Sequence, residues 1–234
     1  MDTDGTAVVT GASRGIGRSV AAALADEGMT VVGCARDAGA LDEAVEEIAE
    51  SADADGEVNG VRADVRDEYD VERLMERAAR ENGDGIGLVV ANAGVYHGDP
   101  GETPIDGEPY STFDDHVRTN VRGVFATLRE AVPHLADDGR MLVTTGPVAR
   151  NPTEGVGSYA VSKAGGEAVM RQFAADTDAV VGCVDPGQVE TGLSGGPGRD
   201  PEEVAELFVW AATQDADEVD GEVLDLRAWR SATR

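Results

Sequence analysis

The sequence predicts an α/β fold: one doubly wound, mostly parallel seven-stranded sheet with helices on both faces. Three observations lead there. Short apolar runs alternate with helical stretches from end to end, the order a parallel sheet needs because each crossover is built around a helix. The first apolar run feeds directly into a glycine turn and a helix. No linker, repeat or low-complexity tract interrupts the pattern, so residues 1–234 read as a single domain.

Ala7-Val8-Val9 is the first strand, residues 10–17 the glycine turn and residues 19–26 an Ala-rich helix. Residues 30–35 read as the second strand, and Leu41, Val45 and Ile48 mark one face of the next helix. Residues 58–63 form the third strand, 69–81 a helix and 88–91 a short buried strand. Pro100, Pro104 and Pro109 make residues 95–110 a loop. A long helix is expected over residues 112–135, then a strand over 141–145, a helix over 159–176 and a strand over 179–184. Residues 192–200 read as a mobile glycine-rich loop, Pro201 opens the last helix, and residues 222–226 form the last strand.

Lys163 is the only lysine among 19 basic residues, and it lies four residues after Tyr159. That spacing puts both on one helix face. A nearby ammonium favours phenolate, so the pair is expected to lower the Tyr159 pKa and to suit acid–base work on an alcohol or carbonyl. The plainer alternative is a packed Tyr beside a solvated Lys. Upstream, Gly11, Ser13, Arg14, Gly15, Ile16 and Gly17 form a Gly-x-x-x-Gly-x-Gly turn between strand and helix. Such a turn lets the backbone approach a pyrophosphate at a helix N-terminus, as in a Rossmann-type site.

Together the glycine turn and Tyr-x-x-x-Lys resemble the short-chain dehydrogenase/reductase family. The resemblance runs from Thr6 to about Leu226. It implies an oxidoreductase that interconverts a carbonyl and a secondary alcohol. Tyr159 would exchange a proton with the substrate oxygen, and Lys163 would also hold the nicotinamide ribose. Asn120 would order a relay water. Asp64 and Val65 would flank the adenine, Asn92-Ala93-Gly94 would close the cofactor site, and Pro186, Gly187, Val189 and Thr191 would pack near the nicotinamide. At the end of the second strand, Ala35 stands where an acid would hold ribose hydroxyls; Arg36 follows it, and Arg14 lies in the turn. Two guanidiniums clamp a phosphate well, so NADP(H) is favoured over NAD(H). The alternative pairs Arg36 with Asp37 on the surface.

One departure matters. The family usually carries a carbonyl-polarising Ser 13 residues before the Tyr, and here that position is Gly146. Thr145 is the expected substitute, through a shifted backbone. A vacant role would favour a cofactor-binding sensor or low-activity homologue, and dehydration or epimerisation on the same scaffold stays open. The family's Gly-Gly tail is also replaced by Arg227-Ala228-Trp229, which would alter a subunit contact in an expected homodimer or homotetramer.

The net charge is −27, from 46 acids and 19 bases. Such a surface repels nucleic acid and anionic lipid, so neither is an expected partner; a small carbonyl or alcohol is. No apolar run approaches the ~18 residues of a membrane span. The segment before the first strand, residues 1–5, carries no secretory signal. Cys34 and Cys183 lack metal-ligand spacing, so no metal is expected, and they suit buried thiols in a reducing cytoplasm. The acids recur on every expected helix, and with a single Lys the chain resembles proteins of salt-in halophiles. In molar salt the Debye length falls to about 3 Å and self-repulsion is muted. The other reading of the acids is an acidic binding protein.

Overall fold

The computed structural model describes residues 5–51, 56–193 and 196–233. The expectation for the first four residues, and that for 194–195 within the glycine-rich loop, lie outside them. Seven strands form one sheet: β1 (Thr6–Thr10), β2 (Thr30–Ala35), β3 (Glu57–Arg62), β4 (Ile86–Ala91), β5 (Leu135–Thr144), β6 (Val180–Asp185) and β7 (Val223–Asp225). Their order is β3-β2-β1-β4-β5-β6-β7, and every neighbouring pair is parallel.

Side-chain alternation explains the two layers of helices. Val9, Val90, Leu142 and Val184 point to one face. There they meet Leu24 of α1 (Gly15–Asp26), Leu41 of α2 (Ala38–Ser51) and Phe208 of α7 (Pro201–Thr213). Their neighbours Val8, Val89, Val143 and Cys183 point to the other. There they meet Leu74 of α3 (Glu68–Ala78), Leu128 of α5 (Gly123–Ala131) and Met170 of α6 (Gly157–Asp176). The strand order reverses between β1 and β4, which opens a crevice at their C-terminal ends.

The long helix expected over residues 112–135 is present as one continuous helical run, with a hydrogen-bond pattern that changes along it. It runs as α4 (Tyr110–His116), a π-helical stretch (Val117–Arg122), α5 and a 3-10 turn (Val132–His134). Pro133, without an N–H, stops the helical ladder. Strand β5 then begins at Leu135, six residues earlier than expected. Asp137-Asp138-Gly139 is absorbed where the β4–β5 register slips from Ile86↔Leu135 to Leu88↔Arg140. Two short helices were not expected, α8 (Ala216–Val219) and α9 (Leu226–Ala232). Asp225 caps α9 by accepting from the Arg227 and Ala228 N–H groups, and Trp229 packs onto the core.

Candidate active site

A cleft of about 360 Å³ opens at the β1/β4 reversal. Its wall includes Gly11, Ser13, Arg14, Gly15, Ile16, Gly17, Arg36, Val65, Asn92, Ala93, Gly94 and Thr191. Gly11 sits at φ +72°, and a Cβ there would lie 2.9 Å from Ala93 Cα. A Cβ on Gly17 would lie 2.2 Å from the Gly11 carbonyl oxygen, so only glycine lets α1 start this close to β1. Asn92 is a clasp: its Nδ2 donates to Thr10 O at 3.0 Å, while Thr10 Oγ1 accepts from the Asn92 and Ala93 N–H groups, each at 3.0 Å. The two strand ends are thereby locked around the glycine turn.

The first turn of α1 carries no acid, and Arg14 at its N-cap leaves the helix N–H groups uncapped by any side chain. Those donors face an anion favourably. Arg14 and Arg36 are exposed, and among the described residues neither forms an ion pair; the surface pairing of Arg36 with Asp37 is not made. Asp64 lies off the cleft wall. Burial would raise its carboxyl, but the Arg66 bonds at 2.7–3.1 Å and the Arg66 charge outweigh that and hold it below its usual range. Pro186, Gly187, Val189, Tyr159 and Lys163 also lie beyond this wall.

Tyr159 and Lys163 share one face of α6. The Lys163 ammonium is 5.8 Å from the Tyr159 ring centroid and donates to the Thr144 carbonyl at 3.0 Å. Burial pushes Lys163 down to about 8, against the opposing pull of Cys183, Asp185 and Glu167. The expected lowering of the Tyr159 pKa is not found. Burial, with a smaller contribution from Tyr96, pushes the phenol up to about 12, because burial disfavours the charged phenolate. The plainer alternative fails on its own terms, since Lys163 is buried.

The Thr145 side chain is directed to Glu167, away from the Gly146 position. The Thr145 N–H donates to Val184 O at 2.9 Å, so the backbone continues the sheet pairing with no kink. Alternation then turns its side chain away from the Gly146 side, and its hydroxyl hydrogen goes to Glu167 Oε1 at 2.8 Å. Gly146 is extended at φ −168°, and a Cβ there would meet nothing within 4 Å. Asn120 lies in the π-helical stretch, where its side chain bonds both backbone groups of Val95 and the Ser162 hydroxyl.

Sequence reasoning missed Tyr96, His116 and Ser158. The Tyr96 ring is 4.6 Å from that of Tyr159, and His116 bonds Ser158, the residue preceding Tyr159. One signal was available: His116 precedes Asn120 by four, as Ser158 precedes Ser162. Cys34 and Cys183 are buried free thiols, each pushed up to about 12 by burial.

Residues 5–201 match the short chain dehydrogenase family, and the chain belongs to it. The NADPH-dependent aldehyde reductase 2, chloroplastic, of Arabidopsis thaliana is 31% identical over 198 residues, covering 79% of this chain and 72% of its own. Among solved structures, an alcohol dehydrogenase from the archaeon Thermococcus sibiricus, complexed with 5-hydroxy-NADP, superposes with a TM-score of 0.83 at 29% identity, covering 95% of each chain. A short chain dehydrogenase from Burkholderia cenocepacia in complex with NADP gives 0.83 at 26% identity, covering 97% of each.

Proposed function

We propose that this short-chain dehydrogenase is an NADP(H)-dependent oxidoreductase that interconverts a carbonyl and a secondary alcohol. The observation that carries the reading is the buried Lys163 ammonium beside the Tyr159 ring on one helix face, in a fold with a glycine-lined cleft at the β1/β4 reversal. The cleft fits the cofactor: the Gly11 and Gly17 cradle admits a pyrophosphate, and the exposed Arg14 and Arg36 on its wall suit an added phosphate. When bound, the cofactor supplies or accepts the hydride at the substrate carbon.

In reduction, the Tyr159 hydroxyl gives its proton to the substrate oxygen as that oxygen gains negative charge. A phenol held near 12 is fully protonated at neutral pH and ready to donate. Lys163, still charged below about pH 8, stabilises the phenolate left behind. Asn120 fixes the exit of β4 against α6 in our reading, and Thr145 takes no part. The open space at Gly146 favours a site with one fewer polarising donor, which keeps the low-turnover sensor as the second reading.

The exposed Phe125 and Val161, on α5 and α6, support pairing of copies along these helices. The buried thiols support a reducing, cytoplasmic setting, and the distributed acids support function in concentrated salt. The test is NADPH oxidation against a broad panel of aldehydes and ketones in molar KCl. Turnover of any member supports the oxidoreductase, while tight NADPH binding with no turnover favours the sensor.

A further inference from the structure

We propose that His116 is a positioning residue for the Tyr159 chemistry, holding the start of the 95–110 loop and the first turn of α6 in fixed register. The inference rests on the oxidoreductase reading for its kinetic consequence and on hydrogen-bond geometry for its substance.

His116 is fully buried, yet both ring nitrogens are engaged by different elements. Nε2 meets the His97 backbone N–H at 3.0 Å. An amide N–H can only donate, so Nε2 must be unprotonated and Nδ1 must carry the hydrogen. Nδ1 therefore donates to Ser158 Oγ, 2.7 Å away. The Ser158 N–H in turn donates to Glu108 Oε2 at 2.8 Å.

Asn120 repeats the arrangement one helical turn later. Its Oδ1 accepts from the Val95 N–H at 2.8 Å, and its Nδ2 donates to Val95 O and to Ser162 Oγ, both at 2.9 Å. Ser162 donates onward to the Tyr159 carbonyl at 2.7 Å. Two rungs thus cross from the loop, at Val95 and His97, to α6, at Ser158 and Ser162, and Tyr159 sits between them. The His116 ring also lies edge-on to Tyr159, with centroids 6.0 Å apart and planes at 64°. A histidine kept only for packing would not spend both nitrogens on the two segments that flank the reacting phenol.

The surroundings hold the imidazole neutral. Burial lowers its pKa and the His97 charge lowers it further, while Glu108 and Asp115 pull it up. The Tyr96 and Tyr159 rings face it, and Asp115 is itself paired to Arg66 and His97. Protonation would put a hydrogen on Nε2 against the His97 N–H and break the first rung. The rung is therefore intact at neutral pH and lost as pH falls through the imidazole's depressed range.

The experiment uses the full chain in molar KCl, with His116→Phe, which keeps a ring but neither bond, and His116→Gln, which keeps an acceptor for the His97 N–H. Three quantities are read: NADPH affinity, His97 amide exchange by NMR, and kcat against pH for a carbonyl found in the panel. Misplacing reacting groups by about 1 Å can cost on the order of 10²-fold. His116→Phe is expected to lose about tenfold or more in kcat and to exchange the His97 amide about tenfold faster or more, with NADPH affinity within about twofold of wild type. His116→Gln is expected to fold, to protect the His97 amide better than His116→Phe, and to lose the acid limb of the wild-type profile. Wild-type kcat in His116→Phe, or an unchanged acid limb in His116→Gln, overturns the proposal. If the wild type turns over no carbonyl, the oxidoreductase reading fails by itself. Amide exchange then decides the ladder: equal His97 protection in wild type and both variants overturns it, and faster exchange upholds it.

Discussion

The Thr145 hydroxyl donates to Glu167, not toward the side of the sheet where Gly146 stands. Glu167 is almost wholly buried, and it also pairs with Arg150 and Arg171 at 3.5 and 3.3 Å. Thr145 therefore serves a buried carboxylate, and a buried acceptor deprived of a donor costs about 1–3 kcal/mol. Thr145→Val is expected to lower unfolding free energy by about that much in urea titration while leaving kcat within about twofold of wild type. A loss of about 10²-fold in kcat with unchanged stability would return Thr145 to the polarising role.

Gly146→Ser tests the same region from the other side. The backbone there is extended and open, so the side chain enters without strain. A hydroxyl at that position is expected to raise kcat by about tenfold or more, since one such donor is worth about 10²-fold where it is well aimed. A silent or harmful Gly146→Ser, in a folded protein, means that the polarising donor is already supplied elsewhere.

The contrast between Thr145 and its surroundings marks what the sequence could and could not disclose. Alternating strands and helices, the glycine turn and the Tyr159–Lys163 spacing are local patterns, and they carried the topology and most of the cleft. The π-helical stretch at residues 117–122 was not a local pattern. It accompanies the Asn120 bonds to Val95 and Ser162, which join segments far apart in the chain. The orientation of Thr145 depended on whether the backbone kinked after β5, which is decided by the Val184 pairing. His116 reads in sequence as one polar residue on a helix, and only packing brings it against Ser158.

Lys163 gives a pH dependence with opposite signs in activity and stability. Its pKa falls from 10.5 to about 8 on folding, so between those values the unfolded chain binds more protons. The stability deficit of wild type relative to Lys163→Met is therefore expected below about pH 8 and to shrink as pH rises toward 10.5. Reductive kcat is expected to run the other way on this alkaline side, steady from neutral pH to about pH 8 and falling above it as the ammonium is lost. A kcat flat through pH 8–10 would detach Lys163 from the chemistry.

Arg36, just after β2, is exposed and forms no ion pair among the described residues, so its charge suits a phosphate. NADPH is expected to bind more tightly than NADH, and Arg36→Asp to erase or reverse the difference. The lost charge-assisted contact should cost about 1.5–3 kcal/mol, tenfold or more in affinity by calorimetry. Equal affinities in the wild type would contradict this account of the cleft.

The net charge of −27 makes salt a stability variable. Melting temperature is expected to climb with KCl into the molar range as repulsion among the 46 acids is screened. A melting temperature flat from low to molar KCl would reject salt adaptation.

The central claim is that Tyr159 moves the proton. It is tested most directly by kcat for NADPH-dependent carbonyl reduction in Tyr159→Phe, with NADPH affinity measured on the same preparation. Removing the hydroxyl while keeping the ring is expected to cost about 10²–10⁴-fold in kcat and to leave NADPH binding within about twofold. A Tyr159→Phe variant that binds NADPH and turns over like the wild type would contradict the account.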